Sequence, residues 1–441
     1  MKRLLSLLLC AVLALFCATT AQAAGVSITL TASEYALHYA FDAGAQDPFV
    51  ILEYATPAEK GWMMLYSEYG RFEGDIALAY SGAGGKTSVA LTSARTTGSI
   101  GKASTTLPKA ADYQKPTGKS NAKVTDFVLT ETPEGFHYAF NAAGTDYMLL
   151  YWRSKEQTVT QPVYPDGNGH YEGDVVSELT FARTQFTVQV KSGSGSMKKE
   201  ATVRKGYQAP EAPQRQEGRL SGVTVCIDAG HQENGRFVNE PIGPGLSGST
   251  SGKGGMAQGT KTNRRESIVC LEIGMLLRDE LLRQGANVVM TREDQTTFHT
   301  NIERCEIAEA GGAQIMLRLH CNNSSNRSKR GIQVYGPLNS DYAKAVADAD
   351  TYREMGQKLL DAMKTRVGMT LANSTGMVRL NDNYVGNNWA KMMCFLVEMG
   401  YLSNPTEEYL LVTPVYQQWL AEGMADGVYE IAVARGWVQA Q

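Results

Sequence analysis

Two stretches in the N-terminal half of the chain occur twice. His38-Tyr39-Ala40-Phe41 recurs as His137-Tyr138-Ala139-Phe140, and Phe72-Glu73-Gly74-Asp75 recurs as Tyr171-Glu172-Gly173-Asp174, both at an offset of about 99 residues. A duplication of that length limits the folding unit to a module of roughly a hundred residues, the size of a small sandwich. Within the copies, Val26–Thr31, Thr87–Thr92, Val124–Thr130 and Gln185–Val190 alternate apolar and polar residues with period two, and Gly, Pro, Asn and Asp clusters separate them. This pattern predicts two all-β sandwiches of immunoglobulin or fibronectin type, at 24–107 and 123–206, with Pro108–Ala122 as connector. Two copies are too few for a solenoid. Tyr35, Tyr39, Phe72, Tyr138, Tyr151, Trp152 and Tyr171 could stack on the sugars of a cell-wall polymer, but at alternating strand positions they read first as core.

The pattern changes after a Pro-rich polar linker at 207–219. Apolar strand runs at Val223–Asp228, Asn287–Thr291, Gln314–His320, Gly331–Tyr335 and Met393–Glu398 then alternate with helical stretches. Those stretches are Glu266–Gln284, Ile302–Ala310, Tyr352–Arg366 and Pro414–Ala434. Such alternation predicts an α/β domain over 220–441, with a mostly parallel or mixed sheet flanked by helices. Thr262 or Asn263 is placed to cap the first helix, and Gly285 to end it.

With 441 residues the chain holds two or three domains, and a net charge of −3 argues against nucleic acid as partner. Lys2 and Arg3, an apolar run from Leu4 to Phe16, and Ala21-Gln22-Ala23 predict a secretory leader over 1–23, cleaved before Ala24. No later apolar run is long enough to span a membrane, so the expected location is extracellular, cell wall or periplasm. Five cysteines follow the leader, all in the C-terminal half and without C-x-x-C spacing, and are expected as thiols.

In an open α/β sheet, ligands gather beyond the carboxyl ends of the strands. Three such ends carry metal-capable side chains here: His231, His320 and Glu398. Glu266 adds a carboxylate at a helix start. Two histidines and a glutamate form a known zinc set, and a further carboxylate would serve as base. Each residue also has a structural reading: a hydrogen-bonded histidine, or a glutamate that complements a helix dipole. Glu398 asks most strongly for a partner, because Cys394-Phe-Leu-Val-Glu-Met is an apolar strand.

Four segments make the pattern specific. They are Ile227-Asp228-Ala229-Gly230-His231, Thr262-Asn263-Arg264-Arg265-Glu266, Leu317-Arg318-Leu319-His320-Cys321-Asn322, and Leu396-Val397-Glu398 continuing through Met399-Gly400-Tyr401-Leu402-Ser403-Asn404-Pro405. Together, and with Met290-Thr291-Arg292 and Arg304, they resemble the zinc-dependent N-acetylmuramoyl-L-alanine amidase family over about 222–436. The resemblance implies that His231, Glu266 and His320 hold Zn2+ and that Glu398 is the catalytic base. It also implies a peptidoglycan substrate, cut between N-acetylmuramic acid and L-alanine of the stem peptide. Zinc lowers the pKa of bound water from about 15.7 towards 7. Asp228 and Asn322 would orient the ligands, and for Asp228 a role in the turn is equally open.

The sequence departs from that family twice. The segment from Gln232 to Thr262 is longer than usual and rich in Gly, Ser and Pro, which leaves a substrate lid and a solvated insertion both open. It also contains Glu233 and Glu240, which compete with Glu266 as ligands. Arg318 stands where a small residue is common, either to bind a peptide carboxylate or to reach solvent. Two other functions remain: a zinc carboxypeptidase acting on stem peptides, and a non-catalytic wall-binding protein.

Overall fold

The computed structural model describes residues 18–22, 25–78, 80–111, 113, 123–132, 135–143, 148–154, 157–166, 168–176, 185–191, 197–204, 210–232, 238–250, 255–262, 264–367 and 377–440. The chain divides into two compact units, Met1–Gly206 and Tyr207–Gln441. Most of the expected leader and most of the 108–122 connector lie outside the described residues.

The N-terminal unit is all-β. Strands Ala18–Gln22, Ser27–Ala32, Ala36–Asp42 and Arg71–Ala77 form one small antiparallel sheet, in that order, and the first of them belongs to the expected leader. A second small sheet runs His170–Val176, Gly135–Asn141, Thr125–Thr132. Both repeats contribute to one eight-stranded sheet, ordered Met197–Arg204, Gln185–Lys191, Met148–Arg153, Gln157–Val163, Glu59–Tyr66, Phe49–Ala55, Gly85–Ser93, Ser99–Leu107. The repeats meet where Gln157–Val159 pair antiparallel with Glu59–Gly61. That pairing removes two edges that would otherwise expose unpaired backbone groups.

Each repeat keeps its own core. Leu37, Tyr39, Leu52, Phe72 and Leu91 belong to one, and Phe136, Trp152, Tyr171 and Phe186 to the other. Tyr39, Phe72, Tyr138, Trp152 and Tyr171 are buried, so these aromatics are core and present no stacking surface. The duplicated motifs also place equivalent hydrogen bonds, His38 Nδ1 with Asp75 Oδ1 at 3.0 Å and His137 Nδ1 with Asp174 Oδ1 at 2.9 Å.

The C-terminal unit is α/β. Its strands are β1 (Thr224–Ala229), β2 (Asn287–Met290), β3 (Ile315–Asn322), β4 (Gln333–Gly336), β5 (Met377–Leu380) and β6 (Met393–Tyr401), in the sheet order β2-β1-β3-β6-β4-β5. The pairs β1–β2, β1–β3, β3–β6 and β4–β5 are parallel, and β4–β6 is antiparallel, so the sheet is mixed. The central strands β1, β3 and β6 are buried along almost their whole length, which explains their near-continuous apolar sequence.

The helices are α1 (Glu266–Arg283), α2 (Asn301–Ala310), α3 (Asp341–Val346), α4 (Ala349–Val367), α5 (Val385–Trp389), α6 (Glu407–Leu411) and α7 (Pro414–Ala434). Helix α1 closes on one sheet face through Gly274, which lies against Ile227 and Leu319. On the other face Cys226, Met316 and Cys394 pack with Cys305 and Ala308 of α2 and with Ala390. Alternate residues of the same strands thus meet helices on both sides. All five cysteines after the leader are free and buried. Residues 210–219, expected as linker, are tied to α1: Arg278 donates to Pro210 O, and Gln216 N donates to Leu282 O.

Candidate metal centre

Parallel strands β1, β3 and β6 point their carboxyl ends the same way, and the cavity opens there. It measures about 1040 Å³, and His231, Glu266, His320 and Glu398 all line it. The β3–β6 register sets His320 opposite Glu398. His231 follows β1 in a left-handed conformation, φ 57°, a costly geometry for a non-glycine residue and one that recurs at functional sites. Gly230 before it must be glycine: a Cβ there would lie 2.5 Å from Leu319 O and 2.6 Å from the His320 ring.

His231, Glu266 and His320 gather into one cluster, with candidate ligand atoms within 4.8 Å of one another. Glu266 Oε1 faces His231 Nε2 at 3.1 Å and His320 Nδ1 at 2.9 Å, and it accepts from Cys321 N at 3.0 Å. Burial alone would push this carboxyl up, yet the two imidazoles hold it well below its ordinary range. Burial pushes His320 down, towards the neutral imidazole a metal requires. Among the described residues that line the cavity, two buried side-chain atoms have no protein partner, His320 Nε2 and Glu398 Oε2. Burial, and then the neighbouring Glu266 charge, push Glu398 well above the usual carboxylate range.

The rival carboxylates separate. Glu240 lines the same cavity but stands outside the cluster, accepting from Asn301 Nδ2 at 2.7 Å and Ile302 N at 2.8 Å at the start of α2. Glu233 lies outside the described residues. Asp228 touches no ligand imidazole. It bridges Arg304 and Arg318 and accepts from Thr291 Oγ1 at 2.8 Å. Arg304 in turn donates to the carbonyls of Ala229 and His231, so the ion network steadies the turn that carries His231. Asn322 is likewise away from the ligands, donating to Gln333 Oε1 at 3.1 Å.

Arg318, expected to bind a peptide carboxylate or reach solvent, is buried and committed to Asp228 and Asn301. Burial would lower its pKa, but the Asp228 charge and hydrogen bond, together with the neighbouring Cys394 and Cys305, raise it. The inserted segment forms a wall of the cavity. Asn388 Nδ2 donates to Ile242 O at 3.1 Å and Trp389 Nε1 to Pro241 O at 2.9 Å, while Thr250, Met256 and Ala257 line the space. His299, which belongs to none of the four sequence segments, also lines the cavity.

A mixed α/β sheet with two imidazoles and a carboxylate clustered at its strand ends, and a second carboxylate beside them, defines a domain of metal-site type. Residues 225–430 match the N-acetylmuramoyl-L-alanine amidase family, and the C-terminal unit contains a domain of that family. The chain is 27% identical over 218 residues to the probable cell wall amidase LytH of Staphylococcus aureus, a match covering 48% of this chain and 60% of that protein. The chain thus spans about 60% of the length of the curated relatives it matches. Among solved structures it is similar to an N-acetylmuramoyl-L-alanine amidase from Clostridium difficile 630 (23% identity, 48% of this chain, 96% of that one, TM-score 0.38). It is also similar to the amidase Ami1 from Mycobacterium abscessus (20% identity, 48% and 99%, TM-score 0.43).

Proposed function

We propose that the C-terminal unit hydrolyses the amide bond between N-acetylmuramic acid and L-alanine in peptidoglycan, with His231, Glu266 and His320 holding zinc and Glu398 acting as base. The observation that carries this reading is the gathering of two imidazoles and a carboxylate in one cavity with a carboxylate oxygen that has no protein partner. The donor set fits the ion: two imidazoles and a carboxylate leave a position for water, and the buried Glu398 Oε2 in the same cavity has no protein partner. When bound, zinc polarises the carbonyl and makes water acidic enough to react near neutral pH.

The chain's own residues do the rest. Glu398 Oε2 takes the proton of the attacking water, and burial raises its affinity for that proton. The same carboxyl then delivers the proton to the departing alanine nitrogen. Glu266 stays ionised, because its imidazole neighbours favour the charge. The Asp228–Arg304 contact holds the His231 turn, so the ligand is in place before substrate arrives.

The expected site of action is the cell wall, reached through the leader at 1–23. The mass of the exported chain tests this: it should begin at Ala24, and an intact leader contradicts it. Among the described residues no helix is long and apolar enough to cross a membrane. Wall-polymer binding by the N-terminal repeats is a separate proposal. Co-sedimentation of residues 24–206 with purified sacculi supports it, and a fragment that stays in solution contradicts it.

The bond cut is tested by digesting purified peptidoglycan and reading the products by mass spectrometry. Stem peptides with free L-alanine amino termini, lost with a chelator and regained with zinc, are expected. Release of single terminal amino acids would identify a carboxypeptidase, and an unchanged polymer a wall-binding protein.

A further inference from the structure

The inserted segment ends in a stem that touches the ligand cluster directly. Ala257 N donates to Glu266 Oε2 at 2.7 Å, and Glu266 N donates to Ala257 O at 2.9 Å. Gln258 bridges Arg265, and Gly259 N donates to Arg264 O at 2.9 Å, so the stem pairs antiparallel with the residues entering α1. One oxygen of the ligand carboxylate is thereby engaged by backbone. The other, Oε1, accepts from Cys321 N at 3.0 Å and faces His231 and His320.

The far side of the stem is held by Glu408 on α6. Its carboxylate accepts from Lys261 N at 2.9 Å, from Thr262 N at 3.1 Å and from Thr260 Oγ1 at 3.0 Å. Glu408 is fully buried, and every hydrogen bond described for its carboxylate comes from the stem. A buried carboxylate facing backbone amides rather than a cation is costly, and what it secures is the path of residues 260–262. Gly259 makes the close approach possible, since a Cβ there would lie 2.5 Å from Glu408 Oε2.

We propose that Glu408 is a positioning residue for the metal: through the stem it fixes the Ala257 N–H, and that N–H fixes the orientation of Glu266. The inference rests on the zinc reading of His231, Glu266 and His320. Outer partners of a metal ligand typically contribute about 10–100-fold in metal affinity. Because coupling between sites is reciprocal, zinc should in turn tighten the stem. The insertion is then part of the metal site's frame.

The test is the zinc dissociation constant of the whole chain, by competition with a chromogenic chelator, for wild type, Glu408→Gln and Ala257→Pro. Ala257→Pro deletes the N–H donor to Glu266 Oε2, and so decides the matter if Glu408→Gln fails to fold. Both variants should bind zinc about 10–100-fold more weakly, and zinc should slow amide exchange over 255–262 in wild type. A purely structural Glu408 would lower the melting temperature yet leave the zinc constant unchanged in the folded variants, and that result overturns the proposal. Wild type that binds no zinc at all overturns the site reading itself, a distinguishable failure.

Discussion

Asp228 has no solvent exposure and lies between the Arg304 and Arg318 guanidinium groups. Burial would raise its pKa, but the two arginines hold it far below the ordinary carboxylate range. Removing the negative member of a buried ion network leaves uncompensated charge, so Asp228→Asn should cost about 3–5 kcal/mol in denaturant unfolding. The sign of the pH effect follows from the depressed pKa. The stabilisation is complete above the unfolded carboxylate pKa near 4 and is lost only as pH falls through the lower folded value. The difference between wild type and Asp228→Asn should therefore be flat from about pH 5 to 8 and shrink towards pH 2. A difference that instead shrinks above pH 5 would contradict this assignment. That His231, Glu266, His320 and Glu398 come together in one cavity was legible, because strand ends and a helix start restrict where such side chains can gather. The role of Asp228 was not, because spacing along the chain does not show that α2 and β3 aim their arginines at β1.

At the scale of elements, the long helices and apolar strands follow their sequence periodicity closely, and α7 begins and ends at Pro414 and Ala434 as expected. The short elements α3, α5, α6 and β5 were missed, since four to six residues carry no measurable period. Helix α1 starts at Glu266 as expected, but its cap was read differently. Thr262 or Asn263 was expected there, and Asn263 lies outside the described residues; the N-cap is Arg265 with no side-chain bond, and the inserted stem supplies the acceptor through Ala257 O. Only tertiary structure could provide that partner. Glu240 plays a comparable part at α2, so Glu240→Ala should lower stability by about 1.5–3 kcal/mol, the range for hydrogen bonds to charged groups. A thermal or urea midpoint equal to wild type would show that the insertion is not anchored there.

At the scale of the molecule, the duplication was legible as a repeat of motifs, and the shared sheet was not. Edge pairing between Gln157–Val159 and Glu59–Gly61 leaves no mark on hydrophobic period. Tyr80 of the first repeat stacks edge-on against Trp152 of the second at 5.8 Å, so the repeats should unfold together. Calorimetry of residues 24–206 should show one transition, whereas two well-separated transitions would mean independent sandwiches. The central claim concerns the other unit: its cavity divides the work between a metal holder and a proton carrier. The direct measurement is zinc content and peptidoglycan cleavage side by side for wild type and Glu398→Gln. The account predicts unchanged zinc binding with cleavage reduced about 10²–10⁴-fold, the usual contribution of a positioned acid–base group. Cleavage at the wild-type rate, or loss of zinc together with activity, would contradict it.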